Sequence, residues 1–208
     1  MTSRGCFISL EGGEGVGKST QVRALAEALT NRGLDVHVTR EPGGSEGAEK
    51  IRELLLSGSE DRWGRQAEAL LFAAARADHV AKTIRPALEA GQWVLSDRFV
   101  DSSLAYQGGA GALGIEAVRA INAFGIGDAF PDRTLVLTLQ EGAERAKARD
   151  TDGSDRIGGR SDEYHHKVAT AFHLIAAEEQ ERVKLVDASG SPEQVTQRLL
   201  DAIQDMLP

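Results

Sequence analysis

Five short apolar runs are spaced along the chain: Phe7–Leu10, Val36–Thr39, Trp93–Ser96, Leu135–Leu139 and Val183–Val186. Each has the length and composition of a strand. Between them, apolar residues recur at helical spacing, which predicts helices near 18–32, 45–57, 65–90, 114–124, 141–149, 163–181 and 192–206. In the first of these, Val22, Leu25, Ala26 and Leu29 mark one face. Gly33 and Gly91 stand where helix C-caps fall. Ser191-Pro192-Glu193-Gln194 supplies an N-cap, a first-turn proline and a capping-box partner. Strands alternating with helices predict an α/β fold whose parallel sheet is covered on both faces. Ligands of such a sheet gather at the carboxyl ends of its strands. The polar, glycine-rich stretch Asp150–Asp162 falls between two helical segments and suits a lid. With no internal repeat and no low-complexity linker, residues 1–208 read as one domain.

Composition narrows the function classes. A chain of 208 residues can bury a sizeable core, and 41% hydrophobic with 27% charged residues is a soluble, globular balance. The net charge of −8 argues against a nucleic-acid partner, which needs a basic face. Cys6 is the only cysteine, so no intrachain disulfide forms, and its place in an apolar run reads as a small core residue. No apolar run is long enough to span a membrane and no signal-peptide pattern opens the chain, so a cytoplasmic protein with no membrane partner is expected.

The chemistry begins directly after the first apolar run. Gly12-Gly13-Glu14-Gly15-Val16-Gly17-Lys18-Ser19 satisfies G-x-x-x-x-G-K-[ST], and strand, glycine loop and helix are the setting that motif requires. The glycines let backbone N–H groups turn around phosphate oxygens, and the helix N-terminus adds partial positive charge. Gly12 to Thr20 therefore frame a nucleoside triphosphate site, with Lys18 able to reach the β/γ-phosphates and the Ser19 hydroxyl able to ligate Mg²⁺. Asp97, directly after the third apolar run, is the candidate acidic partner for that ion and Arg98 beside it would face phosphates, although Asp-Arg taken alone also reads as a surface turn.

Further along, Phe72 and Arg76 lie four apart on one predicted helix and share a face. A ring beside a planar donor fork can stack on a base and bond its edge, although a Phe in an alanine-rich helix is more often core. Asp101–Gly109 is polar enough to line an acceptor pocket and equally reads as an ordinary helix start. Arg145, Lys147, Arg149, Arg156 and Arg160 cluster around the expected lid, where cations can stabilise a transferring phosphoryl group or simply form a solvated basic face. The histidines His37, His79, His165, His166 and His173 show no metal-ligand pattern.

Taken in order, Glu11–Thr20, Thr39-Arg40-Glu41-Pro42-Gly43-Gly44, Ile51-Arg52, Leu71–Arg76, Ser96-Asp97-Arg98, Asp101–Gly108 and Asp155-Arg156-Ile157 resemble the thymidylate kinase family, in its bacterial form, over essentially the whole chain. The resemblance implies a P-loop NTPase fold with a five-stranded parallel sheet, a homodimer, and transfer of the γ-phosphoryl of ATP to dTMP with Mg²⁺. It implies that Phe72 stacks on thymine, that Arg76 bonds the base edge and that Ser103, next to Ser102, contacts the base. Tyr106 would crowd the ribose 2′ position, Gln107 would add a polar contact, and Arg52 and Arg98 would hold the acceptor phosphate. Glu14 would sit near the acceptor, and Pro42 would follow a cis peptide bond that shapes the pocket near Glu41. Gly15 stands where the eukaryotic-like form carries an arginine, which moves the catalytic arginine role to Arg149 and Arg156. Two positions depart from the family pattern: Gly158-Gly159 replaces an acidic residue after Asp-Arg-Ile, and Ala75 precedes Arg76 where a polar residue is common. A kinase for another nucleoside monophosphate or for a deoxynucleoside is the alternative. A GTP-dependent switch is excluded because no Asn-Lys-x-Asp segment is present.

Overall fold

The computed structural model describes residues 4–139 and 156–208. Five strands form one wholly parallel sheet: β1 (Phe7–Gly12), β2 (Val36–Arg40), β3 (Trp93–Asp97), β4 (Arg133–Thr138) and β5 (Val183–Asp187). Their spatial order is β2-β3-β1-β4-β5. Strand β1 is central because both of its faces are covered; it is buried along its whole length and needs no alternation of apolar and polar residues.

The side chains of β1 nevertheless divide by parity. Ile8 and Leu10 enter a cluster with Val22, Leu25 and Leu29 of α1 (Lys18–Thr30) and with Val195 and Leu199 of the C-terminal helix Pro192–Asp201. Phe7 points the other way, against Phe99 in an edge-to-face contact at 4.8 Å. A leucine such as Leu25, fully buried in this way, contributes about 1.5–3 kcal/mol. Glu11 shares the parity of Phe7 and is carried into the interior on that face.

The remaining helices are α2 (Glu46–Leu56), α3 (Arg65–His79), α4 (Arg85–Glu89), α5 (Val100–Ser103), α6 (Ile115–Ile126), α7 (Asp162–Glu178) and α8 (Pro192–Asp201). The helix expected over 65–90 is divided: a π-helical segment, Val80–Ile84, joins α3 to α4, and Pro86 sits in the first turn of α4, directly after that segment. The polar run 101–109 is helical throughout, α5 passing into a second π segment, Leu104–Ala110. The capping box of α8 forms as its sequence predicts. The helix expected over 141–149 lies outside the described residues. No described helix is long and apolar enough to cross a membrane. The Cys6 thiol is pushed up to about 12, first by burial, consistent with a packing role.

The chain leaves β1 toward β2 on one side and later crosses to β4 on the other. The carboxyl end of β1 is therefore the switch point where a crevice opens. The loops after β1, β2 and β3 meet there.

Candidate active site

A cavity of about 540 Å³ opens at this switch point. Its floor is the loop between β1 and α1. Gly12 takes φ 133, and a Cβ there would fall 2.5 Å from the carbonyl oxygen of Leu137, so only glycine allows the loop to leave β1 against β4. Gly17, at φ 94, caps α1 without a side-chain bond, which leaves backbone N–H groups of the first turn facing the cavity. Lys18 follows at once. Its ammonium donates to the carbonyls of Gly12 at 3.2 Å and Gly13 at 2.5 Å. Burial, then the nearby Arg98 charge, lowers the Lys18 pKa to about 8. The Ser19 hydroxyl donates to Asp97 Oδ2 at 2.8 Å, so two hard oxygen donors meet at the mouth of the loop.

Arg98 is the one described residue besides Ala112 that holds a positive φ without being glycine. That turn, at φ 70 directly after β3, swings the guanidinium back over β1. It donates to the Gly12 carbonyl and to Ser102 Oγ, both at 3.1 Å, and to Glu14 Oε1 at 2.6 Å, and it stacks 5.1 Å above the ring of Tyr106. Burial works against its charge, but Tyr106, Glu14, Glu11 and Asp97 outweigh burial and raise its pKa. Burial would also raise Glu14, yet Arg98 and Lys18 hold it below the ordinary carboxylate value. Tyr106 donates to Glu14 as well, at 3.2 Å.

Beneath Arg98, Glu11 accepts from the Phe99 N–H at 2.7 Å and from Ser102 Oγ at 2.6 Å. Burial and the neighbouring Asp101 push this carboxyl up to about 7, against the pull of those two bonds and of Arg98. Asp101 itself is clamped by Arg182, with Nη1 and Nη2 each at 2.7 Å from its oxygens.

The other wall is α3. Glu68, Phe72, Arg76 and His79 follow at spacings of four, four and three, one stripe of the helix. Phe72 is half-buried: it packs on the cluster around Phe172 and also lines the cavity, which leaves part of the ring open to that space. Arg76 is fully buried. It donates from Nε to Glu41 Oε2 at 2.7 Å, from Nη1 to Ser103 Oγ at 3.0 Å and to Asn122 Oδ1, and from Nη2 to the Phe99 carbonyl at 3.1 Å. These bonds engage four of its five N–H groups, which fixes its plane and restricts what it can offer a ligand. Glu41 is held in turn by His79 Nδ1 at 3.0 Å, and His79 Nε2 meets Thr39 Oγ1 at 2.7 Å. The Glu41–Pro42 peptide is cis, as expected, and the Pro42 carbonyl accepts from Arg52 at 2.6 Å.

Most residues singled out from sequence meet in this one cavity. Glu14, Gly15, Gly17, Lys18, Ser19 and Thr20 line it from the loop. Glu41, Pro42 and Arg52 line it from the β2 side, Phe72 and Arg76 from α3. Asp97, Arg98, Ser102, Ser103, Tyr106 and Gln107 complete it. Gly12, Gly13 and Val16 shape the loop without lining the space. Arg156, expected at the phosphates, does not line it: its guanidinium is buried and donates to Glu68 Oε2 at 2.6 Å and to the carbonyls of Leu55 and Glu60 at 2.8 and 3.1 Å. A carboxylate and two carbonyls attract this cation to the α2–α3 connection. Arg145, Lys147 and Arg149 lie outside the described residues. Sequence reasoning missed Glu11, Glu68, His79 and Asn122. The helical spacing that pairs Phe72 with Arg76 extends to Glu68 and His79 and could have found both.

The family model for thymidylate kinase matches residues 10–199 of this chain. A thymidylate kinase of Rhizorhabdus wittichii is 59% identical over 206 residues, covering 98% of this chain and 99% of that protein. One from Bradyrhizobium sp. strain ORS 278 is 48% identical over 207 residues, covering 98% and 92%. Among solved structures, the crystal structure of thymidylate kinase from Ehrlichia chaffeensis superposes with a TM-score of 0.79 at 28% identity, covering 97% of this chain and 99% of that one.

Proposed function

From the premise that this chain belongs to the thymidylate kinase family, we propose that it transfers the γ-phosphoryl of ATP to dTMP, giving dTDP and ADP. The observation that carries this reading is the shared cavity. The phosphate-binding residues Lys18 and Ser19 open into the same space as Phe72, Gln107 and Arg98, so a donor on the loop and an acceptor against α3 can meet there.

The obstacle to the reaction is charge: two phosphorylated anions must approach in line, so catalysis rests on positioning and neutralisation. Lys18 draws the donor phosphates onto the N-terminus of α1. Arg98, pinned by Glu14, Ser102 and the Gly12 carbonyl, sits between the loop and the acceptor wall and holds the acceptor phosphate together with Arg52. Glu14 stands beside Tyr106 on the acceptor side. The acceptor oxygen is already anionic at neutral pH, so no general base is required. The Ser19 hydroxyl and the Asp97 carboxylate fit Mg²⁺, a hard cation that takes few protein oxygens. When bound there, the ion would offset phosphate charge.

The acceptor wall supports a planar base. Phe72 lines it, Ser103 is oriented by Arg76, and Tyr106 fills the space beside Glu14. Gln107 closes the pocket. Arg149 and its neighbouring cations are assigned from sequence alone to the lid, about 150–162 of a single domain 1–208. Arg156 is better placed to anchor that segment than to reach phosphates. A homodimer accords with the exposed apolar side chains Phe124 on α6 and Leu70 on α3, two helices packed against each other. A cytoplasmic location follows the same family reading.

ADP release, followed by coupled assay with dTMP, dUMP, AMP, CMP and thymidine offered in turn, tests the assignment. ADP should appear with dTMP far faster than with AMP, CMP or thymidine. Equal rates with every acceptor, or none with dTMP, would defeat it.

A further inference from the structure

Glu68 lies on α3 one turn before Phe72, and its side chain is only 4% exposed. Its two oxygens face different partners. Oε1 accepts from Gln107 Nε2 at 3.0 Å, and Gln107 lines the cavity. Oε2 accepts from Arg156 Nη2 and from Arg160 Nη2, each at 2.6 Å. Neither arginine lines the cavity, but Ile157 between them does. A second path closes the circuit. Arg160 stacks 4.6 Å above the Tyr164 ring and donates to its hydroxyl at 2.6 Å; that hydroxyl donates to the Tyr106 carbonyl at 2.8 Å. One buried carboxylate thus holds two cations and an amide through charge-assisted bonds. Its removal leaves two guanidinium groups without their common counter-charge.

We propose that Glu68 is a positioning residue for the acceptor, holding Gln107 and the Ile157-bearing turn in one geometry and thereby coupling Arg160 to acceptor binding. The proposal rests on the reading of the cavity as the dTMP site. Residues joined in one buried network are not independent, so a change at Arg160 is felt at Gln107 as long as Glu68 connects them. A purely structural role makes a different prediction: loss of stability that affects both ligands alike.

Calorimetric titration of dTMP into wild type, Arg160→Met, Glu68→Ala and the double variant decides between them, with a non-hydrolysable ATP analogue titrated in parallel. Arg160→Met should weaken dTMP about fivefold, a coupling within the range usual for contacting residues, and leave the ATP analogue within about twofold. In the Glu68→Ala background, the same arginine change should alter dTMP affinity by less than about twofold. If Glu68→Ala does not unfold cooperatively, Glu68→Gln, which keeps the shape and one acceptor oxygen, replaces it under the same criterion. Unchanged dTMP binding in Arg160→Met, equal losses in both backgrounds, or parallel losses for both ligands would overturn the proposal. Failure of the wild-type protein to bind dTMP would instead overturn the functional reading on which it rests.

Discussion

Replacing Glu11 by glutamine should make this protein more stable at pH 8 and remove one component of its pH dependence. The carboxyl is fully buried, and burial together with Asp101 raises its pKa from 4.5 to about 7. In the unfolded chain the group loses its proton near 4.5, whereas the fold keeps the proton until about pH 7. Between those values the native state binds more protons, so the contribution of Glu11 to stability falls as pH rises and levels off above 7. At roughly 1.36 kcal/mol per unit, an interval of about 2.5 units amounts to about 3 kcal/mol. Glutamine is neutral and of the same shape. Its amide oxygen can accept from the Phe99 N–H while its NH₂ donates to Ser102 Oγ, so both bonds seen in the structure have a counterpart. The assay is thermal unfolding of both proteins from pH 5 to pH 8. At pH 5 the two midpoints should be close. By pH 8 the variant should melt about 6–12 °C higher, since each kcal/mol moves a domain of this size by about 2–4 °C. A constant difference across the whole range, or a variant that is less stable at pH 8, would refute the reasoning, because either would mean that Glu11 is not carried as a destabilised buried carboxylate.

Three further outcomes follow from the site. Phe72→Ala should raise the KM for dTMP at least tenfold, because it removes a ring that offers the acceptor a stacking face, and leave the KM for ATP within about twofold; equal changes in both would return Phe72 to a packing role alone. Gly44→Ala should weaken dTMP binding and lower the melting temperature, since the added Cβ would fall 2.3 Å from His79 Nε2 and 2.6 Å from Thr39 Oγ1 at a backbone φ of +85, disturbing the chain of bonds that holds Glu41 and Arg76; wild-type dTMP affinity in this variant would show that the chain does not support the pocket. Arg156→Met should cost about 1.5–3 kcal/mol of stability, read by urea unfolding, because Glu68 loses one of its two arginine partners while Arg160 still compensates its charge; full stability with a collapse of kcat would place Arg156 at the phosphates after all.

The sequence carried the framework because the framework repeats a simple physical pattern. Short apolar runs separated by helical periods can bury both faces of a parallel sheet, and the strands, their carboxyl-end loops and the glycine loop follow from that. The paired face of Phe72 and Arg76 was legible for the same reason, as was the capping box at Ser191. Long-range electrostatics was not legible in that way. Arg156 carries the same charge as any lid arginine, and only the fold brings it to Glu68, 88 residues away in sequence. Glu11 sits in an apolar strand, and nothing in its local sequence says that the opposite face of β1 meets Ser102 and Asp101. His79 carried no metal-ligand spacing; its part in orienting Glu41 depends on Thr39 at the end of a strand forty residues earlier. The π segments at Val80–Ile84 and Leu104–Ala110 were equally hidden, since their apolar positions still read as continuous helix.

The central claim is that the loop and the acceptor wall serve a single transfer, and the fate of the phosphoryl group tests it most directly. ATP labelled with ³²P in the γ position, incubated with dTMP and the protein in the presence of Mg²⁺, should yield labelled dTDP in equal amount to ADP. Lys18→Ala should form essentially none while unfolding with an undiminished cooperative transition. Label recovered as inorganic phosphate in place of dTDP, or dTDP formed at the wild-type rate by Lys18→Ala, would contradict the account.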